Sequence, residues 1–200
     1  MKILIIGGTG TIGKILTNSL LERHTVITAG LSQGDFQVDI ADIASIRTLY
    51  QRVGTVDAVV VTTGKVAFAP LTKMTAEQYA VGLQNKLMGQ VNVVLQGIPY
   101  LSEGGSFTLT SGIINESPIR TGSSASMVNG ALESFVKAAA IELPHQLRIN
   151  IVSPTVLEDS LSIYGDYFRG FEPVSAAKVA LAYCKSIEGA QTGQVYRAGW

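Results

Sequence analysis

The clearest chemistry in this chain sits in its first thirteen residues. Lys2 to Ile6 is a short apolar, β-branched run, and Gly7-Gly8-Thr9-Gly10-Thr11-Ile12-Gly13 follows it and opens directly into a helical pattern. Glycines at 7, 10 and 13 permit a tight turn, a close backbone approach to a diphosphate and close packing of helix on strand. The unbonded N–H groups at a helix start attract anions. In this strand-turn-helix setting the spacing reads as a dinucleotide cradle, with Gly7, Thr9, Gly10, Thr11, Ile12 and Gly13 as its contacts.

The end of the second strand selects between nicotinamide dinucleotides, because an acid there bonds the ribose 2′-hydroxyl and a basic residue accommodates a 2′-phosphate. Ala29-Gly30-Leu31-Ser32 offers neither determinant, and Leu31 and Ser32 are the expected contacts. Ser32 can donate to a phosphate and Lys14 lies just past the third glycine, so NADP is preferred over NAD. Lys14 reads equally well as a solvated lysine of the first helical turn.

Other chemistries have little to build on. His24 and His145 are the only histidines, and neither stands in a metal-ligand spacing with carboxylates, so no metal site is expected. Cys184 is the only cysteine, which excludes an internal disulfide and suits a reducing compartment.

The elements that must hold the cradle follow from hydrophobic period. Strands are expected at Lys2 to Ile6, Thr25 to Thr28, Phe36 to Val38, Ala58 to Thr62, Ser106 to Thr110, Arg148 to Val152 and Gln194 to Arg197. Helices are expected at Gly13 to Arg23, Ile43 to Val53, Ala76 to Tyr100 with a break near its middle, Ser124 to Leu143 and Ser175 to Ile187. This alternation predicts an α/β, doubly wound Rossmann fold with a seven-stranded, mainly parallel sheet, all 200 residues forming one nucleotide-binding domain. Thr155 to Pro173, with Tyr164, Tyr167, Phe168 and Phe171, is either a flap over a pocket or a surface loop tucked onto its own aromatics.

Lys+Arg 15 against Asp+Glu 15 leaves a formal net charge of +0, so nucleic acid and anionic membranes are poor partners. Charged residues make up only 15%, against about 25% in an ordinary domain, which points to an oligomer. No apolar run approaches the roughly 20 residues of a membrane span or a secretory signal core, so a cytoplasmic location is expected.

Several motifs together resemble the short-chain dehydrogenase/reductase family along essentially the whole chain. Beside the glycine turn, Val38-Asp39-Ile40 is similar to the family's Asp-apolar pair at the adenine pocket, which makes Asp39 and Ile40 contacts; Asp39 also reads as a plain loop acid. Val61-Thr62-Thr63-Gly64 stands where the family has N-N-A-G, with both asparagines missing. Arg148-Ile149-Asn150-Ile151-Val152-Ser153-Pro154-Thr155 resembles R-V-N-x-V-x-P-G, with threonine for glycine, and implies cofactor contacts at Pro154, Thr155 and Val156. Thr192-Gly193-Gln194 resembles the family's terminal strand.

The resemblance also implies a tetrad of tyrosine, lysine, serine and asparagine, and here it breaks. Aligning Asn129-Gly130-Ala131-Leu132 with the family's K-A-A-L puts Ala125 at the tyrosine and Asn129 at the lysine. Aligning Lys86-Leu87-Met88-Gly89 with N-x-x-G puts Lys86 at the asparagine. The serine survives as Ser111, and no other tyrosine has a lysine four residues on. Loss of a positioned proton donor removes about 10² to 10⁴ in rate. Lysine and asparagine thus look exchanged, and Ser111, Lys86 and Asn129 are expected to line a rebuilt polar site; the alternative is that Lys86 is a solvated helix lysine and Ser111 a leftover strand-end hydroxyl.

Two functions stay open on this reading. One is an atypical family member that binds NADP(H) or NAD(H) and acts on a small carbonyl or alcohol. The other is a catalytically inactive redox sensor or interaction protein that binds the same nucleotide. The helices Ala76 to Tyr100 and Ser124 to Leu143 resemble those the family buries in a four-helix contact, which implies a homodimer or homotetramer.

Overall fold

Strand residues alternate between two apolar destinations, and this alternation builds the molecule. A computed structural model describes residues 1–200. In β1 (Lys2–Ile6) Leu4 and Ile6 enter one core while Ile3 and Ile5 enter the other, and β4 (Val56–Val61) divides Val59 and Val61 from Ala58 and Val60 in the same way. A strand that is apolar on both faces must be covered on both, which is the condition of a parallel sheet with helices on each side. With β2 (Thr25–Gly30), β3 (Phe36–Gln37), β5 (Leu101–Thr110), β6 (Arg148–Pro154) and β7 (Val195–Ala198), seven strands form one sheet in the order β3-β2-β1-β4-β5-β6-β7. Every pairing is parallel.

Helices α1 (Thr11–Leu21) and α7 (Ala176–Glu188) cover one face through Leu16, Leu20, Val179 and Tyr183. The other face is covered by α2 (Ile43–Val53), α4 (Met88–Gly97) and α5 (Ser123–Ala139) through Leu49, Tyr50, Val93, Leu132 and Val136. Ahead of α4 run α3 (Ala76–Val81) and a π-helical turn at Gly82–Leu87, and α6 (Leu161–Tyr164) is a single turn after β6. Strand order reverses between β1 and β4, so a crevice opens at their carboxyl ends, where doubly wound folds take their ligands.

The expected elements are all present, with ends displaced by local chemistry. The Ser124 to Leu143 helix stops at Ala139, and Ile141 beyond it is almost fully exposed. β5 begins five residues before Ser106, because Leu101 pairs with Val56 ahead of an irregularity that the glycines at 104 and 105 disguise. The expected break in the 76–100 segment is the π-helical turn, where the ladder gains a residue and swings Lys86 inward.

Helix starts show which elements were closed and which left open. Asp42 caps α2 through the Ala44 amide, Thr75 and Gln78 form a reciprocal capping box on α3, and Ser175 caps α7 through the Lys178 amide. No side chain caps α1, which begins at Gly10 on the crevice.

The α2–α4 contact is tight enough to test. Tyr50, fully buried, donates its hydroxyl to Val93 O at 2.8 Å and stacks on Tyr100, and a Cβ at Gly97 would be driven into that hydroxyl. Gly97→Ala should therefore cost about 1–3 kcal/mol from overpacking, against a gain of about 1 kcal/mol in helix propensity. A Tyr50→Phe background should absorb most of the cost. A urea-unfolding double-mutant cycle without coupling between the two positions would refute this packing account.

Candidate functional site

The crevice between β1 and β4 is built by the glycine turn. Gly7 takes a φ of +93° and donates its amide to Ala29 O at 2.7 Å, Gly10 N returns to Gly7 O at 3.0 Å, and Lys14 N bonds Gly10 O at 2.8 Å. The amides of Thr11, Ile12 and Gly13 precede the first bonded helical amide and have no acceptor, backbone or side chain. A Cβ on Gly13 would strike the Gly7 carbonyl, whereas one on Gly10 would meet only that same oxygen, at 3.4 Å. Helix α1 is thus pressed against the turn while the space over Gly10 stays open. Free amides around an open, glycine-lined hollow at a helix start fit a diphosphate. Thr62 adds a brace from β4, its hydroxyl donating to Gly7 O at 3.0 Å.

Two hollows flank this turn. One, of about 80 Å³, is lined by Leu31, Val38, Asp39, Ile40, Thr63 and Asn85 among others, which brings four expected cofactor contacts, Leu31, Asp39, Ile40 and Thr63, around one space. Asp39 is also a loop acid, since its Oδ1 accepts the Ala41 amide at 2.9 Å. Asn85 borders the same hollow and accepts the Lys65 amide at 2.7 Å. The second, of about 300 Å³, is lined by Gly8, Thr9, Lys14, Thr17, Asn18, Thr28 and Gln33, and Lys14 is its only charged group. Ser32 is exposed and lines neither.

The end of β2 does have an acid in space, which reading the strand end alone had excluded. Asp35 sits in the turn after β2, and its Oδ2 accepts both the amide and the hydroxyl of Thr28, each at 2.8 Å. Those two donors hold its carboxyl below the usual carboxylate range. The charge is thereby spent on the strand edge.

At the other end of the crevice Lys86, Asn129 and Ser111 come together. Lys86 Nζ donates to Asn129 Oδ1 at 2.7 Å and to Ser111 O at 3.2 Å, and Asn129 Nδ2 donates to Gly112 O at 3.1 Å. The stem of Lys86 runs against Gly64, whose φ is +155° and where a Cβ would lie 2.6 Å from Lys86 Cγ. Lys86 is therefore not a solvated helix lysine. Partial burial of its ammonium brings its pKa down to about 8. Four residues on, buried Gln90 exchanges bonds with both backbone groups of Thr110, so two side chains of one helical segment fasten the end of β5.

Ser111 differs from expectation in one respect. Its backbone faces the lysine, but its hydroxyl donates to Glu133 Oε1 at 2.8 Å, and Glu133 Oε2 accepts Asn115 Nδ2 at 3.0 Å. Glu133 escaped the sequence reading because a glutamate on a helix is normally solvent-facing. The available signal was its spacing of four from Asn129, which puts both on one face of α5. Here that face meets the β5 turn, and Glu133 is 5% exposed.

Ala125 is buried among Ile113 and Ile114, with Val66, Ile119, Phe168 and Phe171 packed against them. In the 155–173 segment Phe168 and Phe171 pair at 5.2 Å, as a loop tucked onto its own aromatics would, and Tyr164 reaches Phe68 after β4 at 6.1 Å. Pro154 ends β6 and Val156 is buried, accepting the Val174 amide at 2.9 Å. Thr155 borders a separate hollow with Trp200 and Phe171, and its hydroxyl has no partner. His24 bonds Glu188 at 2.8 Å. No helix is long and apolar enough to cross a membrane.

Comparison with known proteins adds to this geometry. The family model described as enoyl-(acyl carrier protein) reductase matches residues 17–193. A crystal structure of the protein lin1944 from Listeria innocua superposes with a TM-score of 0.97, at 53% identity over 98% of each chain. A small-chain dehydrogenase in complex with NADPH superposes at 0.89, with 27% identity over 99% of this chain and 96% of that one. An uncharacterised oxidoreductase of Methylorubrum extorquens is 28% identical over 136 residues, 66% of this chain and 55% of that protein. The chain spans about half the length of the curated relatives it matches.

The buried ammonium has a measurable signature. Its pKa near 8 lies below the ordinary lysine value of 10.5, so between those pH values the unfolded chain binds the extra proton and folding releases it. Stability relative to Lys86→Met should therefore rise with pH from about 8 to 10.5 and level off on either side. Urea midpoints of the two proteins that run parallel across that window would show the ammonium to be solvated.

Proposed function

Because the chain belongs to the short-chain dehydrogenase/reductase family, we propose that it binds NADP(H) in the β1–β4 crevice and acts as an oxidoreductase on a small carbonyl or alcohol. The observation that carries this reading is the uncapped start of α1, with three free amides over a glycine-lined hollow, on the same carboxyl edge of the sheet as the Lys86–Asn129–Ser111 cluster. The nicotinamide group, when bound, supplies or accepts a hydride. The chain's own residues hold the diphosphate at the α1 amides and the adenosine beside Leu31, Asp39, Ile40 and Thr63. Lys86 brings a cation to the reacting end from the π-helical turn, in place of a lysine on α5. NADP(H) is preferred to NAD(H) because Lys14 is the only charge around the hollow beside Thr9 and Gln33, and Asp35 is turned onto Thr28.

A second reading is favoured by one specific feature. Ala125 and the aromatic residues packed over it leave no tyrosine at the reacting end, and the Ser111 hydroxyl is already engaged. A nucleotide sensor or interaction protein without turnover needs no such groups. Turnover with bound cofactor distinguishes the two readings.

Between α4 and α5 an apolar groove of about 270 Å³ is walled by Val94, Leu95, Ile98, Phe135, Ala139 and Leu143. We assign this surface to a second copy of the chain.

Calorimetric titration with NADPH, NADP, NADH and NAD tests the cofactor assignment. Micromolar binding with about a tenfold preference for the 2′-phosphorylated forms is expected, one charge-assisted hydrogen bond supplying a difference of that order. Lys14→Ala should erase the preference and leave NADH affinity unchanged. Binding of none of the four rules out the cofactor assignment. Light scattering should report a dimer or tetramer, and a monomer at micromolar concentration refutes the groove assignment.

A further inference from the structure

The hollow of about 80 Å³ beside the glycine turn is bordered by two polar side chains that each keep one group unpaired. Asn85 Oδ1 accepts the Lys65 amide at 2.7 Å, and its Nδ2 has no partner in the chain. Asp39 Oδ1 accepts the Ala41 amide at 2.9 Å, and its Oδ2 is likewise without a partner. We propose that Asn85 is a specificity-determining residue for the base of the bound nucleotide, its amide donating to a ring nitrogen of adenine while Asp39 accepts from the 6-amino group. This rests on the nucleotide-binding reading above and names what selects the base at that site.

The orientation of the Asn85 amide is fixed by its neighbour. A side-chain amide can be turned end for end, but a backbone N–H can only donate, so the atom facing Lys65 N must be the oxygen. The nitrogen, with two N–H donors, is the end left for a ligand. Asp39 is held as closely, its amide donating to Ser45 Oγ at 3.0 Å and its carbonyl accepting the Asp42 amide at 3.1 Å. Four residues after Asn85, a Cβ on Gly89 would come within 2.9 Å of the Ile40 side chain. The segment that carries Asn85 is therefore packed directly on the segment that carries Asp39, and that contact sets the gap between donor and acceptor.

Adenine carries an amino donor next to a ring-nitrogen acceptor on each of its two hydrogen-bonding edges, N6 with N7 or N6 with N1. One acceptor beside one donor is the complement of either edge. Hypoxanthine and guanine have an oxygen in place of the amino group, and that oxygen would face the Asp39 carboxylate. The rest of the hollow suits a flat, neutral ring. Ile6, Leu31, Val38 and Ile40 supply apolar surface, and Lys65 and Asp39 are the only charged residues on its border, one of each sign, so nothing there favours a phosphate.

Asn85 and Lys86 are successive residues of the π-helical turn and serve different ends of the crevice. Lys86 bonds Asn129 and the Ser111 carbonyl, while Asn85 meets the loop after β4 at Lys65. An alkyl side chain at 85 would deprive both the Lys65 amide of its acceptor and the base of its donor. Aspartate at that position keeps the first bond and removes the second, which separates holding the loop from reading the base.

Calorimetry with NADPH and with its hypoxanthine analogue reads the selection directly, and wild type should prefer adenine by about 10- to 100-fold. The part played by Asn85 is isolated with AMP and its 1-deaza and 7-deaza analogues, each of which lacks one ring nitrogen. Titrations followed by the side-chain amide resonances of isotope-labelled protein should show the Asn85 signal moving with AMP. One of the two deaza analogues should bind wild type about tenfold more weakly than AMP, and Asn85→Asp should bind that analogue and AMP alike. Asn85→Ala serves if the aspartate variant does not fold. Equal affinity of wild type for NADPH and its hypoxanthine analogue, or a deaza penalty that is absent from wild type or unchanged in the variant, overturns the assignment and leaves cofactor binding standing. Failure of every dinucleotide to bind overturns the oxidoreductase reading; the assignment of Asn85 then stands on the AMP titrations and falls if AMP leaves its signal unmoved.

Discussion

An ammonium group drawn off the surface needs acceptors in fixed places, and that requirement organises the carboxyl edge of this sheet. Lys86 is swung inward by the π-helical turn and takes Asn129 Oδ1 and Ser111 O as acceptors. Each acceptor is itself held: Asn129 by Gly112 O, Ser111 by Val152 O and, through its hydroxyl, by Glu133. The lysine stem needs Gly64 to lack a side chain. A cation on one helical segment thus fixes the β4 turn, the β5 turn and one face of α5 together.

That face of α5 explains what was legible in the sequence and what was not. Strand and helix periods revealed the sheet, because residues such as Ile3 to Ile6 and Val59 to Val61 are apolar for both neighbours and nothing local competes with that pattern. Two separate motifs singled out Lys86 and Asn129, and their side chains do meet. Glu133 was not legible, since its burial depends on which way the β5 turn presents Ser111 and on Asn115 arriving from a loop. These are tertiary facts with no local pattern. Asp35 is the same lesson in reverse: it follows the strand end by five residues, and only the fold of the turn brings it back to Thr28.

Element ends failed for reasons that can be named residue by residue. β5 was read five residues short because Gly104 and Gly105 look like a loop, though Leu101 already pairs with Val56. The α5 helix was read four residues long because Ala138 to Leu143 keeps a helical composition while the chain has already turned at Ala140. The α1 start was read at Gly13, two residues late, since nothing caps it. A helix start without a cap carries no local signal of where it begins, and it leaves donors for something outside the chain.

The two ends of the crevice place opposite demands on the polypeptide. At α1 the backbone exposes unsatisfied donors, which cost little while water reaches them and are strong when an anion displaces that water. At Lys86 and Glu133 the charged groups are drawn in from the surface and are satisfied by neighbouring polar groups, so each bond is worth more and each loss costs more. A change at Gly10 or Thr11 therefore acts mainly on ligand affinity. A change at Asn129 or Ser111 acts on the fold and on the reacting end at once, because the groups that would do chemistry there also solvate a buried charge.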